Sequence, residues 1–364
     1  MKRMAWGAWV AGVVLLLAAT AHADAIDDYV NAQLTQRHIP GLSLAVVRGG
    51  KPVKLAGYGL ANVELNVPVT PDTIFQIQSI TKTFTSTAIL MLCEEGKVSL
   101  TDPISKYLDG TPESWNKITI RHLLSHTSGI KDFINEPTAS IRLDVSEEDV
   151  LKATAPRPLN FQPGEKYAYS NTNYHLLAMV IRKVTGKSFG DFLKERIFTP
   201  LGMTSTRIVS LSDLIPNRAS GYAWVKNHLE NGGYVAESIL GYGGGGIVSS
   251  ARDMAKWAAA FDDERLLKKS SIEAAWTAMK LNDGGTSTYG LGWGVGAING
   301  HRVVDHSGAH MTGFTSFIVR YRDDDLEIVV LTNSRTADPV QIAKHIAGMY
   351  NPALMPKSPT TAKK

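Results

Sequence analysis

Ser79 and Lys82 stand three residues apart in the stretch Phe75 to Lys97, FQIQSITKTFTSTAILMLCEEGK. Phe84, Ala88, Met91 and Leu92 recur at three- and four-residue spacing, and Gly96 follows where a C-terminal stop belongs. The spacing predicts a helix with Ser79 and Lys82 on one face, one turn apart. A hydroxyl at a helix N-terminus, backed by an amine, suits nucleophilic attack. The dipole and free amides favour developing negative charge, and an amine of lowered pKa can take the hydroxyl proton. Alone, a serine and lysine at this spacing are common, and an N-capping serine followed by a solvated lysine explains them as well.

Two further groups carry chemistry. Tyr169-Ser170-Asn171 follows the turn signal Phe161-Gln162-Pro163-Gly164 and places a phenol beside an amide. Such a phenol can shuttle a proton, and the amide can orient a substrate carbonyl and the lysine. His306-Ser307-Gly308 follows a strand-like Arg302-Val303-Val304-Asp305. Glycine at a strand edge lets a substrate backbone approach closely, and the amide of Ala309 can pair with that of Ser79 as an oxyanion hole. Taken singly, the first group is a capping loop and His306 a strand-end cap.

The elements that must position these groups read as α+β. Residues from Asp24 to Arg37 predict a helix. Leu42 to Gly59 predicts a hairpin about Gly49-Gly50, and Phe314 to Thr332 a second about Arg322 to Asp325. A last helix, Val340 to Tyr350, follows Pro339. Helices and hairpins at both ends predict an antiparallel sheet flanked by N- and C-terminal helices. Between them, residues of about 83–246 read as a large inserted helical subdomain, with helices at Ile118–Thr127, Ser146–Ala153, Asn173–Thr185 and Phe189–Ile197. The run Gly241 to Gly246, GYGGGG, lacks the lysine of a phosphate loop; it reads as a return to the sheet or a rim of the site.

The chain has 364 residues, 44% hydrophobic and 20% charged, enough for one large core. Lys2 and Arg3, an apolar run from Met4 to Ala19, and Ala21-His22-Ala23 predict a cleavable signal peptide over residues 1–23, hence export. No other long apolar run predicts membrane insertion, and the near balance of acidic and basic residues gives no footprint for nucleic acid. One cysteine, Cys93, excludes an internal disulfide. Residues 24–350 read as a single domain and 351–364, NPALMPKSPTTAKK, as a disordered tail.

In this order and at these separations, the three groups resemble the serine β-lactamase and penicillin-recognising hydrolases. Tyr-x-Asn as the second group resembles the class C β-lactamase branch, which includes D-Ala-D-Ala carboxypeptidases, D-aminopeptidases and family VIII carboxylesterases. HLLSHTSG at 122–129, FTPLGM at 198–203, GGGGIVSSARDMAKW at 243–257 and YGLGWGV at 289–295 extend the likeness over about residues 26–350. The resemblance implies a β-lactamase/transpeptidase-like fold and a serine hydrolase without cofactor or metal, working through an acyl-enzyme. It implies that Ser79 is the nucleophile and Lys82 its proton acceptor. Tyr169 becomes the partner acid and base, with Asn171, His306, Gly308 and Ala309 binding a small-molecule or peptidoglycan-derived substrate. Whether Lys82 or Tyr169 is the acylation base stays open. His306 stands where class C β-lactamases carry lysine, which weakens the anchor for a substrate carboxylate. An ester, D-amino peptide or amide is the better expectation than a β-lactam.

Two rival readings remain. His122 and His126 are i, i+4 and resemble a metal pair, but no third ligand suggests itself. A penicillin-binding sensor without turnover keeps the fold, but the presence of Ser79, Lys82, Tyr169 and Asn171 argues against it. Trp224, Trp257, Trp276 and Trp293 could line a cleft, but buried core packing is the default for each, with Trp293 the best cleft candidate.

Overall fold

The computed structural model describes residues 25–134, 142–240 and 242–356, so the expected signal peptide lies outside the described residues. Helix α1 (25–36) leads to β1 (Gly41–Arg48), β2 (Lys51–Asn62) and β3 (Val67–Pro68). β4 (Ile74–Gln76) then runs through a 3-10 turn, Gln78–Ile80, into α2 (Thr81–Glu94). Next come α3 (Ile120–Leu124), α4 (Glu147–Thr154) and α5 (Asn171–Thr185). Short strands β5 (Arg207–Ile208), β6 (Tyr222–Val225), β7 (His228–Asn231) and β8 (Ile247–Ser250) follow. β9 (Gly294–Ile298), β10 (His301–His310), β11 (Phe314–Tyr321) and β12 (Leu326–Thr332) precede a C-terminal helix, Pro339–Tyr350.

Seven strands form one antiparallel sheet in the order β3-β2-β1-β12-β11-β10-β9. Its central strands are apolar at almost every position because both faces are covered. Leu42, Leu44 and Val46 pack with Ile26 and Val30 of α1 and with Ile342 and Ile346 of the C-terminal helix. Ala45 and Val47, one residue out of step, face the helical layer. The expected α+β architecture, with terminal helices on the sheet and a helical layer opposite, is the observed one.

Four expectations change. Phe75 and Gln76 belong to a strand, and Ser79 lies on the 3-10 turn ahead of α2. The 83–246 region is not purely helical: β6 and β7 form a hairpin whose turn residues Lys226 and Asn227 have φ of 48° and 65°. Lysine at that turn hides the hairpin from a search for Asn-Gly or Gly-Gly. His306 and Gly308 lie within β10 rather than after it, since the strand continues to His310. The tail does not become irregular at 351: Pro352–Leu354 is a 3-10 turn and Leu354 is fully buried.

Candidate active site

The turn that carries Ser79 is held from both sides. Gln78, just before Ser79, has φ 51°, a left-handed conformation costly for a residue with a Cβ. Its side-chain amide donates to Gln76 Oε1 (2.7 Å) and Thr312 Oγ1 (3.0 Å), which fixes it there. From the sheet, Ser316 Oγ donates to Ile77 O at 2.7 Å. A Cβ built on Gly308 would lie 2.5 Å from Ile77 O and 2.9 Å from Gln78 Cβ. Gly308 therefore lets the turn that carries Ser79 pack against β10.

Lys82 is fully buried on the first turn of α2. Its Nζ lies 3.1 Å from Ser79 Oγ, 2.9 Å from Asn171 Oδ1 and 2.6 Å from Gly244 O. Burial pulls its pKa down to about 7, against an upward pull from the Asp132 carboxylate. Tyr169 precedes α5, with its ring centroid 4.8 Å from Nζ. Its phenol is pushed above the ordinary value, mainly by desolvation, while a hydrogen bond with Ser79 pulls the other way. With 37% of the residue exposed along the cleft, solvent moderates that push, but its direction keeps the phenol protonated at neutral pH.

Asn171 is the first residue of α5. Its Oδ1 accepts from Lys82 and its Nδ2 donates to Asp132 Oδ2 at 2.9 Å. The loop that carries Asp132 is stitched to the same helix end. Phe133 N donates to Thr172 Oγ1, Thr172 Oγ1 donates to Lys131 O, and Ser128 Oγ donates to Asn173 Oδ1. The phrase beginning HLLSHTSG thus serves as the seat of Asn171. In it, His122 caps α3, accepting from Thr119 N, and His126 Nδ1 accepts from Ser170 N at 3.2 Å. Among the described residues no group of three His, Cys, Asp or Glu is placed to hold a metal.

The residues Ser79, Tyr169, Asn171, Gly244, Ala309 and His310 share a cleft of about 240 Å³, continued by Phe133, Ile134, His175 and Tyr242. His306 does not line it. Only 5% exposed, His306 accepts from the Tyr289 hydroxyl at Nε2 (2.8 Å) and donates from Nδ1 to Ser307 O (2.7 Å). Desolvation holds its pKa down at about 3, so it is neutral and supplies no cation for a carboxylate. It lies instead with Tyr169, Tyr289 and Ser307 along a neighbouring groove. Trp293, the best cleft candidate among the tryptophans, takes the default core place instead: it is 2% exposed and packs edge-on to Phe261 and Trp276. Gly244 lies in the run expected as a rim of the site, whereas Asp132 and Tyr289, which support it, carry no signal of their own in the sequence. Of these, Gly244 and Tyr289 fall inside two of the phrases that carry the resemblance, and Asp132 lies just past a third.

A two-faced antiparallel sheet, a cleft serine backed by a buried lysine at the start of a central helix and a Tyr-x-Asn wall define a penicillin-binding or β-lactamase-fold serine hydrolase. The chain belongs to the beta-lactamase family, whose model matches residues 26–348. It is 30% identical over 354 residues to penicillin-binding protein 4* of Bacillus subtilis (strain 168), covering 91% of this chain and 77% of that one. It is 29% identical to protein flp of Staphylococcus aureus (strain N315), over 88% of this chain but only 65% of that longer relative. Among solved structures, a D-stereospecific amidohydrolase from Streptomyces sp. superposes with a TM-score of 0.75 at 26% identity, covering 91% of this chain and 99% of that one. Among the described residues, no helix is long and apolar enough to cross a membrane.

Proposed function

We propose that the protein hydrolyses an ester or amide through an acyl-enzyme on Ser79, with Lys82 as the base. The observation that carries this reading is the oxygen cage around Lys82 Nζ. Asn171 Oδ1 and Gly244 O only accept, so they take both N–H groups of a neutral amine. Its lone pair is then left for the hydroxyl of Ser79. A pKa of about 7 makes that neutral amine abundant at neutral pH. Tyr169, which keeps its proton, is the acid.

In acylation, Ser79 Oγ bonds to the carbonyl carbon while its proton passes to Lys82. The backbone amides of Ser79 and Ala309 hold the oxyanion, and the second N–H of Asn171 Nδ2 is free for a substrate carbonyl. As the tetrahedral intermediate collapses, Tyr169 protonates the leaving group and regains a proton from Lys82. Water then attacks the ester with the same pair as base, and its proton returns to Ser79 Oγ.

The lining of the cleft supports a neutral substrate. Apart from Lys82 behind the serine, none of its described residues is Lys, Arg, Asp or Glu, and its aromatic end suits an apolar acyl group. The likeness to a D-stereospecific amidohydrolase supports amides as an alternative leaving class. Residues 1–23 are proposed as a secretory leader, checked by whether the exported protein begins at Asp24.

The test is intact-mass spectrometry with a p-nitrophenyl ester of a short acyl group and with a penicillin. A transient acyl adduct from the ester, lost in Ser79→Ala, is expected, together with slower reaction of the carboxylate-bearing penicillin. Ester hydrolysis retained by Ser79→Ala would sink the reading, and faster turnover of the penicillin would overturn the neutral-substrate assignment.

A further inference from the structure

The mechanism above depends on which end of the Asn171 amide faces Lys82, and nothing in Asn171 itself decides it. An amide turned over would present N–H to the amine. The lone pair of Lys82 would then be drawn to Nδ2 rather than to Ser79, and acylation would lose its base. The groups around Asp132 settle the orientation. Its Oδ2 accepts from Asn171 Nδ2 at 2.9 Å and its Oδ1 from Ile134 N at 3.2 Å, with a further backbone bond from Asn171. These partners are all N–H donors, which suits a carboxylate and leaves no place for an amide oxygen turned towards it.

We propose that Asp132 is a positioning residue: by holding the Nδ2 end of Asn171 it turns Oδ1 onto Lys82 and aims the amine at Ser79. The role rests on the proposed acyl-enzyme reading. It is exercised through Asn171, because Asp132 is not among the residues that line the Ser79 cleft. The loop bonds from Lys131, Phe133 and Ser128 to Thr172 and Asn173 hold carboxylate and amide at one distance. Asp132 also places a negative charge near Lys82. The other titratable groups about Lys82 are neutral at pH 7. Tyr169 and Tyr174 are pushed up, and His126, His306 and His310 are pushed down.

The test reads phosphonylation of Ser79 by a fluorophosphonate, in which Oγ bonds to phosphorus as fluoride leaves, followed by intact mass across pH 5–9. Asp132→Asn removes the charge and forms an amide pair that can sit either way round. Its labelling rate should fall about 10–100-fold, and the acid limb should move to lower pH, since Lys82 loses the carboxylate that raises its pKa. The exchange Asp132→Asn with Asn171→Asp keeps one carboxylate and the bonding pattern but puts the charge on Lys82, so the limb should move to higher pH. This second protein keeps the question answerable where the single variant folds poorly. In an Asn171→Ala background, Asp132→Asn should lower the plateau rate above pH 8 no further, although the acid limb still moves with the lost charge.

An unchanged rate and limb in Asp132→Asn would overturn the role of Asp132 alone. So would a loss that persists undiminished without Asn171. A label on a residue other than Ser79 would instead overturn the acyl-enzyme reading on which that role rests.

Discussion

At the scale of single residues, the site separates two groups whose ordinary pKa values lie close together. Lysine and tyrosine both titrate near pH 10 in water, yet here burial drives them in opposite directions because their charged forms have opposite proton counts. Lys82 falls to about 7, and Tyr169 rises. The proposed roles of base and acid, open in the sequence, rest on that divergence. The pH profile tests it. Attack requires neutral Lys82, so acylation should rise as pH passes through about 7 and level off above it. His306, already neutral above about 3, should add no limb between pH 5 and 8. A rate that instead tracks an ionisation above pH 9 would return the base role to the Tyr169 phenolate. Tyr169→Phe, lacking the proton donor, should lower the rate by about 10²–10⁴-fold, most for poor leaving groups, as a series of esters of graded leaving-group pKa would reveal.

At the scale of elements, β10 and the nucleophile turn form one device. Gly308 brings the strand against Ile77 and Gln78, while Ala309, next along β10, lines the cleft beside Ser79. Gly308→Ala places a methyl 2.4 Å from Ser316 Oγ and 2.5 Å from Ile77 O, against backbone that cannot step aside alone. Ångström displacements between nucleophile and oxyanion donors cost about 10²-fold, so kcat for a neutral ester should fall by that order. Near-normal kcat with an intact circular-dichroism spectrum would mean that the strand and turn need not be so close. The legibility of the site follows the same division. Ser79, Lys82, Tyr169 and Asn171 were readable because their chemistry is local to short motifs. The contact of Gly308 was not, since glycine in a strand marks close approach without naming what approaches. Nor was the burial of His306, decided by Tyr289 seventeen residues away. For α2, spacing picked out Phe84, Ala88, Met91 and Leu92, yet every residue from Thr81 to Leu92 is buried. A central helix has no polar face for a periodic pattern to reveal.

At the scale of the molecule, the edge of the sheet is supported by the segment after the C-terminal helix. Past the C-terminal helix, the turn Pro352–Leu354 carries a fully buried Leu354 into the layer formed by Ile26, Val30, Ile342 and Ile346. Asn299, in the turn joining β9 to β10, donates to Ala353 O and Met355 O at 2.9 Å each. Asn351 donates to Asp324 Oδ1 at 2.7 Å, in the turn joining β11 to β12. One short segment therefore ties together two hairpin turns and the helix that covers them. A polar, proline-bearing composition hid it, because one leucine gives no periodicity. Leu354→Ala should cost about 2–5 kcal/mol, as for other buried leucines truncated to alanine, and lower the melting temperature by several degrees. Its kcat at 25 °C should stay within twofold of the parent, since Leu354 packs on the sheet face opposite the helical layer that holds Ser79. Asn299→Ala removes the tie without opening a cavity. It should lower the melting temperature less and speed amide exchange along β9 and the first half of β10, the strands it anchors. Unaltered exchange there would show that the edge hairpin holds its place through the ladder with β11 alone.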